Sequence, residues 1–155
     1  MAEGEKEMIN QVRRIEPAEL AQLLLLYQDL NPDDPSLELG PDLLELWRVI
    51  LADPDNYYLV LPVDGKLVAS CNLVIIKNLT RGARPYALIE NVVTHHDYRQ
   101  KGYGTAVLQK AIAIAKARNC YKVMLMTSRK EESTLQFYDQ AGFVRGDKTG
   151  YVIRF

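Results

Sequence analysis

Apolar and polar positions follow two rhythms along this chain, and the first gives way to the second at about Tyr57. Before that point apolar residues recur every three or four positions. Leu20, Leu23, Leu24, Tyr27 and Leu30 share one face of a helix that opens at Glu16-Pro17, where proline suits an early helical position. Residues 31–36, Asn-Pro-Asp-Asp-Pro-Ser, form a loop by composition. Pro41 opens a second helix whose apolar set is Leu43, Leu44, Trp47, Val49, Ile50 and Leu51. Ahead of both, residues 9–15 alternate weakly and predict a first strand. Beyond Tyr57, residues 57–63 and 67–76 are β-rich runs joined by the hairpin turn Asp64-Gly65. Residues 78–85 read as a loop and 86–94 as a third β-run. The helical rhythm returns over 105–117, rich in Ala, Leu, Lys and Gln. Residues 121–126 predict a buried strand. Residues 131–140 predict a helix ended by Ala141-Gly142, with glycine at the C-terminal cap. Residues 151–155 predict a last strand.

This order joins an antiparallel front half to a β-loop-α-β back half. It predicts an α/β (α+β) fold with a mixed, mostly antiparallel central sheet and helices on both faces. Polar, acidic residues 1–8 read as a flexible leader, which leaves 9–155 as a single domain. The length agrees, since 155 residues fit one domain that buries roughly two-thirds of its unfolded surface without a metal or disulfide staple. Two cysteines, Cys71 and Cys120, make no disulfide framework, and no apolar run follows the acidic start as a signal peptide requires. The longest apolar run, residues 23–27, is far short of the roughly 20 residues of a membrane span. The expectation is a cytoplasmic protein with no membrane partner. A net charge of −1 also argues against a broad nucleic-acid surface, although a local basic patch would be hidden in that sum.

Such a patch lies in Arg99-Gln100-Lys101-Gly102-Tyr103-Gly104-Thr105, between a strand and a helix. Glycines at 102 and 104 open backbone conformations closed to other residues. Consecutive N–H groups can then converge at the positive end of the helix, where a phosphate or pyrophosphate is stabilised. Arg99 and Lys101 add full charges. The Walker loop is excluded because it ends Gly-Lys-Ser/Thr, and the dinucleotide fingerprint is excluded because position 107 is Val107. On two glycines alone, a simple tight turn remains an equal reading.

The surroundings go further. The stretch resembles the GNAT superfamily of N-acetyltransferases, whose acetyl-CoA loop follows Arg/Gln-x-x-Gly-x-Gly/Ala. Residues 89–94, Ile-Glu-Asn-Val-Val-Thr, are similar to the family's acetyl-CoA strand. Residues 137–143, Phe-Tyr-Asp-Gln-Ala-Gly-Phe, are similar to its Phe-Tyr-x-x-x-Gly-Phe segment. The resemblance implies direct acetyl transfer from acetyl-CoA, as co-substrate and without a metal, to a primary amine. Backbone groups of Val92, Val93 and Thr94 would pair with the pantetheine arm, and Arg99, Gln100, Lys101, Gly102, Tyr103, Gly104 and Thr105 would hold the pyrophosphate. Tyr138 would protonate the departing thiolate, since a phenol with a pKa near 10 is protonated at neutral pH. Glu90 is the candidate base, a carboxylate within an apolar strand, with a structural part in the strand as its other reading. Strand alternation puts it on one face with Leu88 and Val92. Where many relatives have Asn seven residues before the tyrosine and Ala four before it, this chain has Glu131 and Thr134, and Ser128 and Ser133 are candidate substitutes.

Other residues read more plainly. His95-His96 suggests metal or catalysis, but neighbours in an extended chain point opposite ways. Asp33, Asp34 and Glu38 read as solvated charges, with attraction of a cationic amine as the alternative. Arg129 and Lys130 read as solvated charges, with contact to a CoA phosphate or an acidic acceptor as the alternative. The acceptor stays open: a small-molecule amine, an amino-sugar phosphate of the glucosamine-6-phosphate type, or a protein or peptide amine. A non-catalytic acyl-CoA-binding regulator is the alternative of a different class. The resemblance is also compatible with a homodimer.

Overall fold

In the computed structural model, which describes residues 3–155, one mixed sheet separates two apolar clusters. The elements run α1 (Glu3–Gln11), β1 (Arg13–Arg14), a 3-10 turn (Pro17–Glu19), α2 (Leu20–Tyr27), α3 (Pro41–Ala52), β2 (Asn56–Val63) and β3 (Lys66–Ile76). They continue with the single turn α4 (Thr80–Ala83), β4 (Tyr86–Thr94), a 3-10 turn (His96–Tyr98), α5 (Tyr103–Ala117), β5 (Val123–Leu125) and α6 (Glu132–Gln140). The five strands lie in sequence order. β1 to β4 are antiparallel, and β5 joins β4 in parallel because the chain crosses over through α5. The β2–β3 hairpin turns on Asp64 and Gly65, whose φ angles of 50° and 78° are the left-handed pair that a two-residue turn needs.

Alternation sorts the core. Leu59 and Leu61 of β2 face the first cluster with Val107, Leu108 and Ala111 of α5, while Val60 between them faces the second with Leu23, Leu26 and Trp47. Both faces of β3 are therefore covered, which explains its nearly continuous apolar run. Trp47 Nε1 donates to Pro17 O at 3.0 Å and ties α3 to the start of α2. Asp55, only 8% exposed, sits at a junction of the sheet. It accepts from Lys77 Nζ at 2.5 Å and Arg118 Nη2 at 2.5 Å, and these cations hold its carboxyl below the ordinary value.

Four expectations are corrected. The described part of the expected leader is helical, and Ile9 lies in that helix rather than in a strand. Glu, Lys and Met favour helix, and Met8 and Ile9 pack against the first cluster, so a polar composition here does not mean an unstructured segment. The first strand shrinks to Arg13–Arg14. Leu44 and Val49 of α3 are more than half exposed, because only one stripe of that helix reaches the sheet. Residues 151–155 form no strand, and Tyr151, Ile153 and Phe155 are exposed, since a strand needs a ladder partner and none of the described residues supplies one. Among the described residues no helix is long and apolar enough to cross a membrane.

Candidate active site

The site begins where the parallel pairing ends. β4 and β5 match Ala87 with Val123, Leu88 with Met124 and Ile89 with Leu125, and then part. From Glu90 onward that edge of β4 faces a cavity of about 670 Å³, whose far wall is residues 125–129 and α6. Unpaired strand backbone beside a cavity offers N–H and C=O groups to an extended ligand.

A bulge in β4 sets what faces the opening. Ser70 pairs with Val93 and Asn72 with Glu90, so Cys71 alone opposes both Asn91 and Val92. Asn91 takes a φ of 52°, a conformation that asparagine tolerates better than most residues. The extra residue shifts the alternation by one. Val92 therefore packs with the cluster that holds Ala87 and Ile89, while Val93 joins the other. The expected common face of Leu88, Glu90 and Val92 is thus corrected. Glu90 itself is half-buried and lines the cavity.

The glycine loop closes one end. Gly102, at φ 82°, caps α5, and its carbonyl accepts the first helical bond from Ala106 N at 2.9 Å. The N–H groups of Tyr103, Gly104 and Thr105 precede that ladder and face no partner within the helix, at its positive end. Gly104 is needed for a different reason. A Cβ there would lie 3.0 Å from Thr94 Oγ1 and 3.2 Å from Phe137 Cζ, so strand, helix and α6 meet at this point. Arg99 lines the cavity and its Nε donates to Thr94 O at 3.3 Å. Lys101 does not line it. Its Nζ turns back to Asp97 O at 3.1 Å and lies 5.2 Å from the Tyr98 ring centre.

Tyr138 enters from α6, with its ring against Phe137 and Phe143. Burial raises its phenol above the ordinary value, Arg129 opposes this, and Cys71 and Glu90 add to it. Thus Glu90, Val92, Val93, Thr94, Arg99, Gln100, Gly102, Tyr103, Gly104, Thr105 and Tyr138 share one cavity. Ser128, Ser133 and Thr134 line it as well, whereas Glu131 does not.

Sequence reasoning points to the loop after α2 through Asp33, Asp34 and Glu38, not to Asp29. Asp29, Leu30 and Asn31 form part of the cavity wall, while Asp33, Asp34 and Glu38 are exposed and lie off it. Arg129 Nη2 donates to Leu30 O at 3.4 Å and bridges the two walls. The histidine pair also departs from expectation. Their rings stack at 4.3 Å because the strand ends and a 3-10 turn begins between them. His96 Nδ1 lies 2.7 Å from Asp29 Oδ1. Asp29, His95 and His96 offer one ligand atom each within 4.8 Å of one another. Both ring nitrogens of His95 already have neighbours, Asp97 N at 3.2 Å and Lys66 Nζ at 2.9 Å. No sequence signal pointed to this contact, which joins residues far apart in the chain.

Residues 22–143 match the family model described as "Acetyltransferase (GNAT) family". The glucosamine 6-phosphate N-acetyltransferase of Trypanosoma brucei brucei is 39% identical over 79 residues, 51% of this chain and 52% of that protein. Glucosamine 6-phosphate N-acetyltransferase 1 of Dictyostelium discoideum is 29% identical over 105 residues, 66% of this chain and 65% of its own length. The chain thus spans between about half and two thirds of the curated relatives it matches. A solved structure from Agrobacterium tumefaciens str. C58, assigned to the acetyltransferases, superposes with a TM-score of 0.88 at 46% identity. That match covers 93% of this chain and 99% of the other.

Proposed function

Because the chain belongs to the acetyltransferase (GNAT) family, we propose that it transfers an acetyl group from acetyl-CoA to a primary amine of a small molecule, by direct attack in a ternary complex. The observation that carries this reading is the parting of β4 from β5 directly beside the N-terminus of α5, with Tyr138 in the same cavity. The free edge of β4 suits an amide-bearing arm such as pantetheine. The helix end and Arg99 suit a pyrophosphate.

In this reading each residue has a task. Backbone N–H groups of residues 92–94 bind the arm, and one of them faces the thioester oxygen as negative charge grows there. The neutral amine attacks the carbonyl carbon, a C–N bond forms and the C–S bond breaks. Tyr138 gives its phenol proton to the leaving sulfur. Its raised pKa keeps that proton in place at neutral pH. Glu90 takes the proton that the new ammonium sheds, directly or through one water. Arg129 favours a second reading, in which the acceptor is an amino-sugar phosphate as the names of the two curated relatives suggest.

A thiol-release assay with acetyl-CoA across a panel of amines tests the proposal. We expect saturable release with at least one small amine. Tight CoA binding with no release for any amine would reduce the protein to a binding module.

A further inference from the structure

Two cavities meet at Asp29. One is the 670 Å³ site already described. The other, of about 360 Å³, has apolar walls from Leu25, Leu26 and Leu67 and polar ones from Gln22, Gln28 and Lys66. Asp29 lines both, with its side chain 17% exposed. Its Oδ1 is held by His96 Nδ1 at 2.7 Å, and among the described residues no donor reaches Oδ2. A carboxylate has room for about four hydrogen bonds, so this one has capacity to spare.

The surroundings specify the sign of a ligand. α2 ends at Tyr27, two residues earlier, so the negative end of that helix lies beside the carboxylate. A cation there is stabilised by both charges. The nearby cations are engaged elsewhere. Lys66 Nζ contacts His95 Nε2 at 2.9 Å, and Arg129 donates to Leu30 O. Among the described residues His96 is the sole side chain in hydrogen-bond contact with the Asp29 carboxylate.

We propose that Asp29 binds a second, non-reacting cationic group of the acceptor, so that the acceptor class is a diamine or a small molecule with a comparable second charge. This rests on the acetyl-transfer reading above. The reacting amine is not the group so held. It must be neutral to attack, and a carboxylate partner stabilises its protonated form. Asp29 thus reads the distal charge where the two cavities meet, and the spacer and the neutral amine lie in the larger cavity, which Glu90 and Tyr138 also line. His96 is a positioning residue that fixes which carboxylate oxygen is free.

Calorimetry on the protein saturated with CoA and steady-state thiol release from acetyl-CoA test this, with 1,4-diaminobutane and n-butylamine as a matched pair, since the lone amine of butylamine cannot sit charged on Asp29 and also attack. We expect kcat/KM for the diamine to exceed that for butylamine at least about tenfold, a margin typical of a charge-assisted contact. Asp29→Asn should bring the ratio close to one while CoA affinity stays within twofold. His96→Ala should weaken the diamine several-fold through KM rather than kcat, and His96→Asn, whose amide N–H can replace Nδ1–H, should restore part of it. A ratio near one in the wild type, or an unchanged ratio in Asp29→Asn, overturns the proposal. So does zinc binding that needs Asp29 and both histidines and excludes the diamine, which would make this a metal site. Diamine binding that depends on Asp29 without thiol release from acetyl-CoA supports the charge site while sinking the transfer reading, so the two failures are distinguishable.

Discussion

Gly102→Ala separates backbone conformation from space in the glycine loop. Gly102 sits at φ 82° and ψ −2°. A Cβ built there meets nothing closer than Met8 Cε and Sδ at 3.8 Å, an ordinary contact. The substitution therefore adds no clash, and its cost is the left-handed conformation itself, about 1–2 kcal/mol for a residue with a Cβ. For a domain of this size that corresponds to a fall in Tm of about 2–8 °C. If the loop escapes the strain by leaving the left-handed region, its N–H groups no longer converge, and CoA binding must restore them. The same 1–2 kcal/mol then appears as a rise in Kd of about 5- to 30-fold. Differential scanning fluorimetry and CoA calorimetry read the two quantities. Gly104→Ala is the control with the opposite logic. Its helical position gains about 1 kcal/mol in propensity. The new methyl would lie 3.0 Å from Thr94 Oγ1 and 3.2 Å from Phe137 Cζ, and overpacking costs about 1–3 kcal/mol. Its effect should appear in turnover, because Phe137 precedes Tyr138. A Gly102→Ala protein with wild-type Tm and wild-type CoA affinity would refute the conformational argument.

Three further outcomes follow from the structure. Tyr138→Phe should lower kcat by about 100-fold, within the usual range for a general acid, with CoA affinity within twofold; unchanged turnover when chemistry limits the rate removes the tyrosine from that role. Asp55→Ala should lower Tm at pH 7. The Asp55 carboxyl is depressed in the folded state, so its stabilisation is present above the unfolded value of about 3.9 and lost as pH falls through the folded value. The Tm gap should therefore narrow as pH falls below about 4, and a gap independent of pH contradicts the ion-pair account. Burial pushes the Cys71 thiol up to about 12, and Cys120 is only partly buried. A thiol reagent at pH 8 should then label one cysteine in the native protein and both after unfolding; two native equivalents would show that Cys71 is not sealed.

Much of the candidate site's geometry was legible because it is set by local sequence. The left-handed cap at Gly102, the strand before it and the aromatic pair Phe137-Tyr138 are each set within a few residues. The bulge at Asn91 was not legible, because it is a mismatch of count between two strands and needs the register of β3 against β4. The last strand failed for a related reason, since alternation at residues 151–155 states a preference but not a partner. The helix at α1 was hidden because its polar composition outweighed the two residues, Met8 and Ile9, that anchor it.

By itself, then, the sequence determined the periods of the elements, the hairpin turn at Asp64-Gly65 and the glycine loop, all of which arise from steric limits on neighbouring residues. The tertiary structure decided where β5 parts from β4, how Asp29 meets His96 and how His95 and His96 come to stack. These depend on distances between segments that only packing brings together. Asp29 and His96 are 67 positions apart in the chain and 2.7 Å apart in space, and no local pattern carries that contact.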